Sequence, residues 1–260
     1  MRSGIALAGV IGACLYASLS HAGESGISSY TSPVLRSVVT LLGGYANINA
    51  GTRQTFLGDD DNVFIYRTSG GGESTGFIGG FLGYEHDLPW YNLFGQLGFE
   101  YVYYGPVTPG GQHTVGIEPE TSTLYHFKYR FQAQQFLASM KLLTTTYERF
   151  HPYFSLGLGT SVNNMGRFTA ITQETGSINL TASYKARSST QFGYAVGLGV
   201  ESDVYQHVRV GIGYRFSGFG DVSLKDPRLA VNGQALPVPF RLGVNNAYAN
   251  QFIAHISYVI

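Results

Sequence analysis

Every second residue of the segment beginning at Gln191 is large and apolar: Phe192, Tyr194, Val196, Leu198 and Val200. The residues between them are of another kind, with Gln191, Gly193, Ala195, Gly197 and Glu201 on the opposite parity. A period of two marks a β-strand with two unlike faces. The next segment repeats the scheme, with Val208, Val210, Ile212, Tyr214 and Phe216 against His207, Arg209, Gly211, Gly213 and Arg215. Two earlier stretches agree. Leu93, Leu97, Phe99, Tyr101 and Tyr103 oppose Gln96, Gly98 and Glu100, while Phe154, Leu156, Leu158 and Val162 oppose Ser155, Gly157, Gly159 and Asn163.

The second face carries Gly, Gln, Ser, Glu and Arg but no large aliphatic core. A soluble antiparallel sheet turns its apolar face inward and its polar face to water. These strands taken alone are open to that sense too; the number of Gly on the polar face and the loop pattern below favour the opposite one, apolar face to lipid and polar face to a lumen. Charged residues are only 12% of the chain, about half the usual share, which suits a surface shown to lipid. No run of about 20 apolar residues occurs, so a helical span is not expected. Net charge is zero, which gives no electrostatic basis for binding nucleic acid.

Eight strands are expected, near 35–48, 76–87, 92–104, 125–146, 152–163, 190–202, 207–217 and 247–260. Short connections near 88–91, 147–151 and 203–206 alternate with long ones near 49–75, 105–124, 164–189 and 218–246. Short turns on one rim and long loops on the other belong to outer-membrane barrels, with the long loops outside the cell. The fold class expected is therefore all-β, an antiparallel up-and-down eight-stranded transmembrane β-barrel. Aromatic residues near the strand ends (Trp90, Tyr91, Tyr101, Tyr103, Tyr147, Phe150, Tyr153, Tyr248 and Tyr258) are expected to form interfacial girdles. The fourth strand changes phase. Its odd positions are apolar from Tyr125 to Ala133 and its even ones from Phe136 to Leu142, and a β-bulge at Gln134-Gln135 would account for the slip.

Residues 1–22 read as an export signal. Arg2 supplies the charge, Gly4 to Leu19 the apolar stretch, and Ser20-His21-Ala22 a small-x-small cleavage site before Gly23. A short periplasmic segment, 23–33, would precede the barrel domain at 34–260. The rival processing uses Ile11-Gly12-Ala13-Cys14, which resembles a lipobox with a lipidated Cys14. Cys14 is the only cysteine, so the mature chain is expected to have neither disulfide nor thiolate metal site.

The segment Pro152-Tyr153-Phe154-Ser155-Leu156-Gly157-Leu158-Gly159 and the run Val210-Gly211-Ile212-Gly213-Tyr214-Arg215-Phe216 resemble the recurrent strands of eight-stranded outer-membrane barrel domains. That group includes the membrane domain of outer membrane protein A and the opacity-type surface antigens. The resemblance covers roughly residues 34–260 and implies fold and location more than activity. It also implies that the last strand is read by the barrel assembly machinery. That strand ends Phe252, Ala254, Ile256, Tyr258, Ile260 on its outward face, so an Ile stands where the group usually has an aromatic residue.

An eight-stranded barrel has an interior just filled by side chains. Arg36, Glu85, Glu100, Lys141, Glu201, Arg209 and Arg215 are expected to form a lumen ion-pair network, structural or gating, with Glu201 opposite Arg209 across a turn centred on Tyr205. No catalytic, cofactor or metal residues are expected. His255-Ile256-Ser257 is the one candidate for nucleophilic chemistry, and it has no assignable third group. Asp59-Asp60-Asp61-Asn62 reads as a solvated charge run, Gly70-Gly71-Gly72 as a loop tip, and His113, His126 and His151 have no metal spacing.

The role expected is that of a non-enzymatic surface interaction (adhesin-like) protein. Its long loops hold Phe56, Phe64, Tyr66, Phe168, Leu236 and Phe240. Partners expected are outer-membrane lipid, lipopolysaccharide and host or surface protein ligands, with no nucleic acid. The alternatives are a narrow channel for small solutes and a lipid-modifying barrel enzyme.

Overall fold

The computed structural model describes residues 35–51, 53–57, 63–68, 72–88, 93–116, 123–146, 149–172, 180–231, 234–237 and 242–260. The expected export signal with Cys14, the 23–33 segment, Asp59 to Asn62, Gly70, Gly71, Trp90, Tyr91, Tyr147 and Phe240 lie outside the described residues. The first strands in chain order are β1 (Leu35–Asn49), β2 (Arg53–Leu57), β3 (Val63–Thr68), β4 (Glu73–Leu88), β5 (Leu93–Tyr104), β6 (Gly110–Gly116) and β7 (Thr123–Thr144). They are followed by β8 (Phe150–Thr172), β9 (Leu180–Lys185), β10 (Arg187–Tyr205), β11 (Val208–Ser223), β12 (Lys225–Val231), β13 (Gln234–Pro237) and β14 (Gly243–Val259).

Eight of these close into an antiparallel ring in the order β1-β4-β5-β7-β8-β10-β11-β14 and back to β1. The seam between first and last strands runs from Val38↔Val259 to Asn49↔Tyr248 without a shift. Sequence alternation maps directly onto the two faces of this wall. Leu97 is 67% exposed, Leu198 61% and Phe252 68%, whereas Glu85, Gln96, Glu201 and Gln251 are buried. Leaving such side chains in water would forgo roughly 1.5–3 kcal/mol each, so the outward band is a lipid-facing surface. Tyr45, Tyr101 and Tyr194 stand on this outer wall toward one rim, and Tyr84 and Tyr258 toward the other, as aromatic girdles do.

Glycines on the inner face make room for rings. Gly199 and Gly213 are register partners on β10 and β11, and a Cβ at Gly199 would stand 2.6 Å from Tyr153 Oη. The Tyr153 ring lies over this gap and receives Lys141 Nζ at 4.9 Å from its centroid.

The described residues of the four connections expected as long loops are largely strand. β8 runs on to Thr172 and β11 to Ser223, and β10 and β14 begin at Arg187 and Gly243. β6 takes up the place of β5 beside β7, from Gly110↔Lys128 to Val115↔Thr123, and β3 and β2 are added beyond it. A separate three-stranded sheet holds β13-β12-β9. Alternation in these stretches went unread because short strands with mixed polar faces carry no strong period.

The expected bulge at Gln134-Gln135 is not present. Pairing of β7 is continuous there with both neighbours, through Tyr103↔Gln134 and Gln135↔Ser161, and its one register shift lies between Lys128 and Arg130. The strand keeps its parity throughout, with even residues outward and odd residues inward. What changes is the medium around it. Outward Leu142, Met140, Ala138 and Phe136 meet lipid, whereas outward Gln134, Gln132, Arg130 and Lys128 stand above it in water. Inward, Lys141, Ser139 and Gln135 line the membrane part of the lumen, and Ala133, Phe131, Tyr129 and Phe127 are fully buried above it. The hydrophobic face swaps sides because the barrel wall leaves the membrane, so the outer half is packed like a soluble protein.

That outer core contains Ile48, Tyr66, Tyr104, Phe127, Tyr129, Phe131, Met165, Phe219, Leu224 and Leu242. Tyr104 meets Phe219 edge-on at 4.9 Å, Tyr66 meets Phe127 at 5.7 Å, and the Tyr129 hydroxyl donates to the Ala50 carbonyl. His113 is stacked on Tyr66 at 3.8 Å between ring centroids, and burial pushes its pKa down from 6.5 to about 3. A depressed folded value means stability is complete above pH 6.5 and is lost as pH falls through the window between 6.5 and 3. Below pH 6.5 the loss reaches up to about 1.4 kcal/mol per pH unit. Limited proteolysis of the extension is expected to accelerate between pH 7 and pH 5, and His113→Phe is expected to flatten that dependence.

Candidate functional site

The polar lumen is the one place where charged side chains converge on the barrel interior, and it is layered. At the periplasmic end Arg36 on β1 bonds Asp87 and lies 3.4 Å from Glu85, both on β4. Glu85 is fully buried and also accepts from both terminal guanidinium nitrogens of Arg209, Nη2 donating at 3.2 Å, and from Gln96 Nε2 at 2.8 Å. Arg209 Nε donates to Asp203 Oδ1 at 3.0 Å, and Asp203 Oδ2 lies 2.8 Å from His151 Nε2. Thr145 Oγ1 completes this string, 3.2 Å from His151 Nδ1.

The middle layer centres on Glu201. Lys141 Nζ donates to its Oε1 at 2.6 Å and His255 Nε2 lies 2.9 Å from the same oxygen. Ser257 is not aimed at His255 but shares a hydrogen bond of 2.8 Å with Thr40. A cavity of about 40 Å³ lies here, lined by Thr40, Glu100, Ser139, Lys141, Tyr153, Arg215 and His255, with room for one or two waters.

In the third layer Arg215 bonds Glu100, donates Nε to Gln251 Oε1 at 3.0 Å and Nη2 to Tyr104 Oη at 3.2 Å. Gln251 Nε2 donates to Ser217 Oγ at 2.7 Å, and Tyr104 Oη donates to Gln135 Oε1 at 3.0 Å. Above this layer the aromatic outer core begins.

The seven residues singled out from sequence all point into this lumen, but they fall into separate groups. Arg36, Glu85 and Arg209 meet at the periplasmic end, Lys141 and Glu201 in the middle, and Glu100 and Arg215 above. One expected pairing is corrected: Glu201 does not face Arg209. Its register partner is Gly211, and Arg209 is opposite Asp203, because the strands turn at Gln206-His207 and not at Tyr205, which moves the pairing two residues from the expected one. That displacement sends Glu201 to Lys141 and His255 and leaves Arg209 to Glu85. Sequence reasoning left Asp203, His151, His255, Gln96 and Gln251 out of the network. Inward parity was a usable signal for each, since Asp203 stands two residues from Glu201 and Gln251 two from Ile253 on alternating strands.

Chemically, the arrangement sets each inward charge named here beside at least one group of opposite charge. Buried ion pairs give modest net stability but exact a heavy cost when one partner is lost. Among the described residues no group of three or more His, Cys, Asp or Glu is placed to hold a metal ion.

A closed antiparallel ring with a lipid-facing outside and an ion-paired inside defines a transmembrane β-barrel. The family model for the outer membrane protein beta-barrel domain matches residues 32–258, and the chain belongs to that family and resides in the outer membrane. Solved structures similar to it include Neisserial surface protein A, at 15% identity over 85% of this chain and 96% of that one, with a TM-score of 0.39. The outer membrane protein OprG from Pseudomonas aeruginosa is 14% identical over 86% and 95%, with a TM-score of 0.37. The outer membrane protease OmpT from Escherichia coli is 12% identical over 91% and 99%, with a TM-score of 0.39. No curated protein sequence matches the chain. One scaffold hosts unrelated activities, so function rests on this chain's own residues.

Proposed function

We propose that this protein is a non-enzymatic surface-interaction barrel, a closed membrane anchor that presents a strand-built extension outside the cell. The observation that carries this reading is the filling of the lumen along its length. Ion pairs occupy the periplasmic and middle layers, and buried rings from Tyr66, Tyr104, Phe127, Tyr129, Phe131 and Phe219 occupy the outer half. Among the described residues this plug of close-packed aromatic rings argues against a water path for solutes. In planar bilayers the folded protein is expected to give no single-channel steps at neutral pH. Regular steps of fixed conductance would establish the channel reading in its place.

The enzyme reading finds little support in the lumen. His255 is engaged by Glu201 and Ser257 by Thr40, so neither forms a nucleophile–base pair. Residues 1–22 act in this proposal as a cleaved export signal with Gly23 as the mature N-terminus, and N-terminal sequencing of the membrane-fraction protein tests that. The outward face of β14, Phe252 to Ile260, is proposed as the surface read by the assembly machinery.

A further inference from the structure

Above the membrane band the wall carries a cluster of basic side chains. Arg53 on β2 is directly opposite Arg67 on β3, Arg67 is opposite Gln112 on β6, and Gln112 is opposite His126 on β7. Directly opposed residues of an antiparallel sheet project from one face with Cβ atoms about 4.5–5.5 Å apart, and like charges so placed repel. Arg53, Arg67 and Gln112 are exposed on the outer face and His126 is half-buried. Lys128 and Arg130 follow on the same face of β7, both exposed, so five basic side chains share one flank. Among the described residues no salt bridge engages Arg53, Arg67, Lys128 or Arg130. Glu73 lines the adjoining cleft of about 670 Å³ together with His126 and Lys128.

Two arginines set against each other with no acid paired to them among the described residues invite an anion, and the position of the flank indicates where one comes from. The flank continues the wall that carries Phe136, Met140 and Leu142 against lipid. Arg130 and Lys128 stand six and eight residues beyond Phe136 on β7. At about 3.3 Å per residue and a tilt near 40°, that places them roughly 15–20 Å above the girdle. This is the depth of the sugars of the outer-leaflet glycolipid, not of its acyl chains. The flank also faces sideways into that leaflet.

We propose that Arg53, Arg67, Lys128 and Arg130 form a docking surface for the phosphorylated core saccharide of the lipopolysaccharide molecules that surround the barrel. Guanidinium groups suit this ligand because their fork of donors matches phosphate oxygens in pairs. The ligand would relieve the Arg53–Arg67 repulsion and lock the extension to the leaflet. The proposal rests on the reading that the extension stands outside the membrane, but not on the lumen being closed, which bilayer conductance tests separately.

The test uses the mature barrel folded in detergent and a fluorescent core oligosaccharide freed of its lipid anchor, read by anisotropy. Saturable binding is expected, weakened about tenfold or more in Arg53→Gln/Arg67→Gln, and abolished when the oligosaccharide is dephosphorylated. Arg149→Gln, which removes an exposed charge at the other end of the barrel, is expected to bind as the unaltered protein does. Slower migration after boiling certifies that each variant is folded. Equal binding by the double arginine variant, or by the dephosphorylated sugar, would overturn the proposal. So would inorganic phosphate competing at equal concentration, which would mark a site for a free anion. Binding of a sulfated heparin-type oligosaccharide but not of the phosphorylated core would overturn it too, by assigning the flank to a ligand on another cell.

Discussion

Leu198→Arg is expected to destabilise the folded barrel by about 2–4 kcal/mol, the cost of a cation on the lipid face near the bilayer midplane. Leu198 stands in the outward apolar run of β10, between Val196 and Val200, with Tyr214 and Phe154 as its register partners on β11 and β8. It is 61% exposed, so a larger side chain meets no steric obstacle. Any loss of stability therefore reports the medium it faces. Urea unfolding in liposomes measures it, and a neutral result would mean that the wall at Leu198 faces water.

Glu201→Leu tests the other face and is expected to cost about 3–5 kcal/mol, the penalty for stripping one partner from a buried ion pair. The carboxylate is fully buried and holds both Lys141 and His255. Without it, the Lys141 ammonium must find a new partner in a lumen whose other acids are committed. Glu201→Leu/Lys141→Met is expected to recover much of the loss, because an apolar pair of similar volume replaces a charged one at little net cost. Should the double variant be as unstable as the single one, the damage would lie in packing and not in the orphaned charge.

The ring itself was legible in the sequence because its signal is redundant. Alternation in segments such as Phe192–Val200 fixes both the strand and its facing, and short turns alternating with long connections fix the up-and-down order. Two things were less accessible. The β10–β11 register depends on a turn at Gln206-His207, followed by a one-residue shift at Asp203–Tyr205, that no residue pattern announces, and moving the turn exchanges every cross-strand partner. The extension was hidden for a different reason. Patterns of polarity specify which face is apolar but not which medium lies beyond it, so the swap between Phe136 and Ala133 on β7 looks like a slip of the strand. A continuous strand that leaves the membrane produces the same sequence.

The most direct test of this inverted arrangement is a cysteine scan of β7, placing one cysteine at each position from Lys128 to Leu142 in the mature chain, labelled with a polarity-sensitive probe in liposomes. The continuous strand predicts that Phe136→Cys, Ala138→Cys, Met140→Cys and Leu142→Cys report lipid and are quenched by brominated acyl chains. Lys128→Cys, Arg130→Cys, Gln132→Cys and Gln134→Cys are predicted to report water, and Tyr129→Cys, Phe131→Cys and Ala133→Cys to resist labelling in the folded protein. Free labelling of the odd positions above Gln135, with the even ones protected, would contradict it and would restore a bulge at Gln134-Gln135.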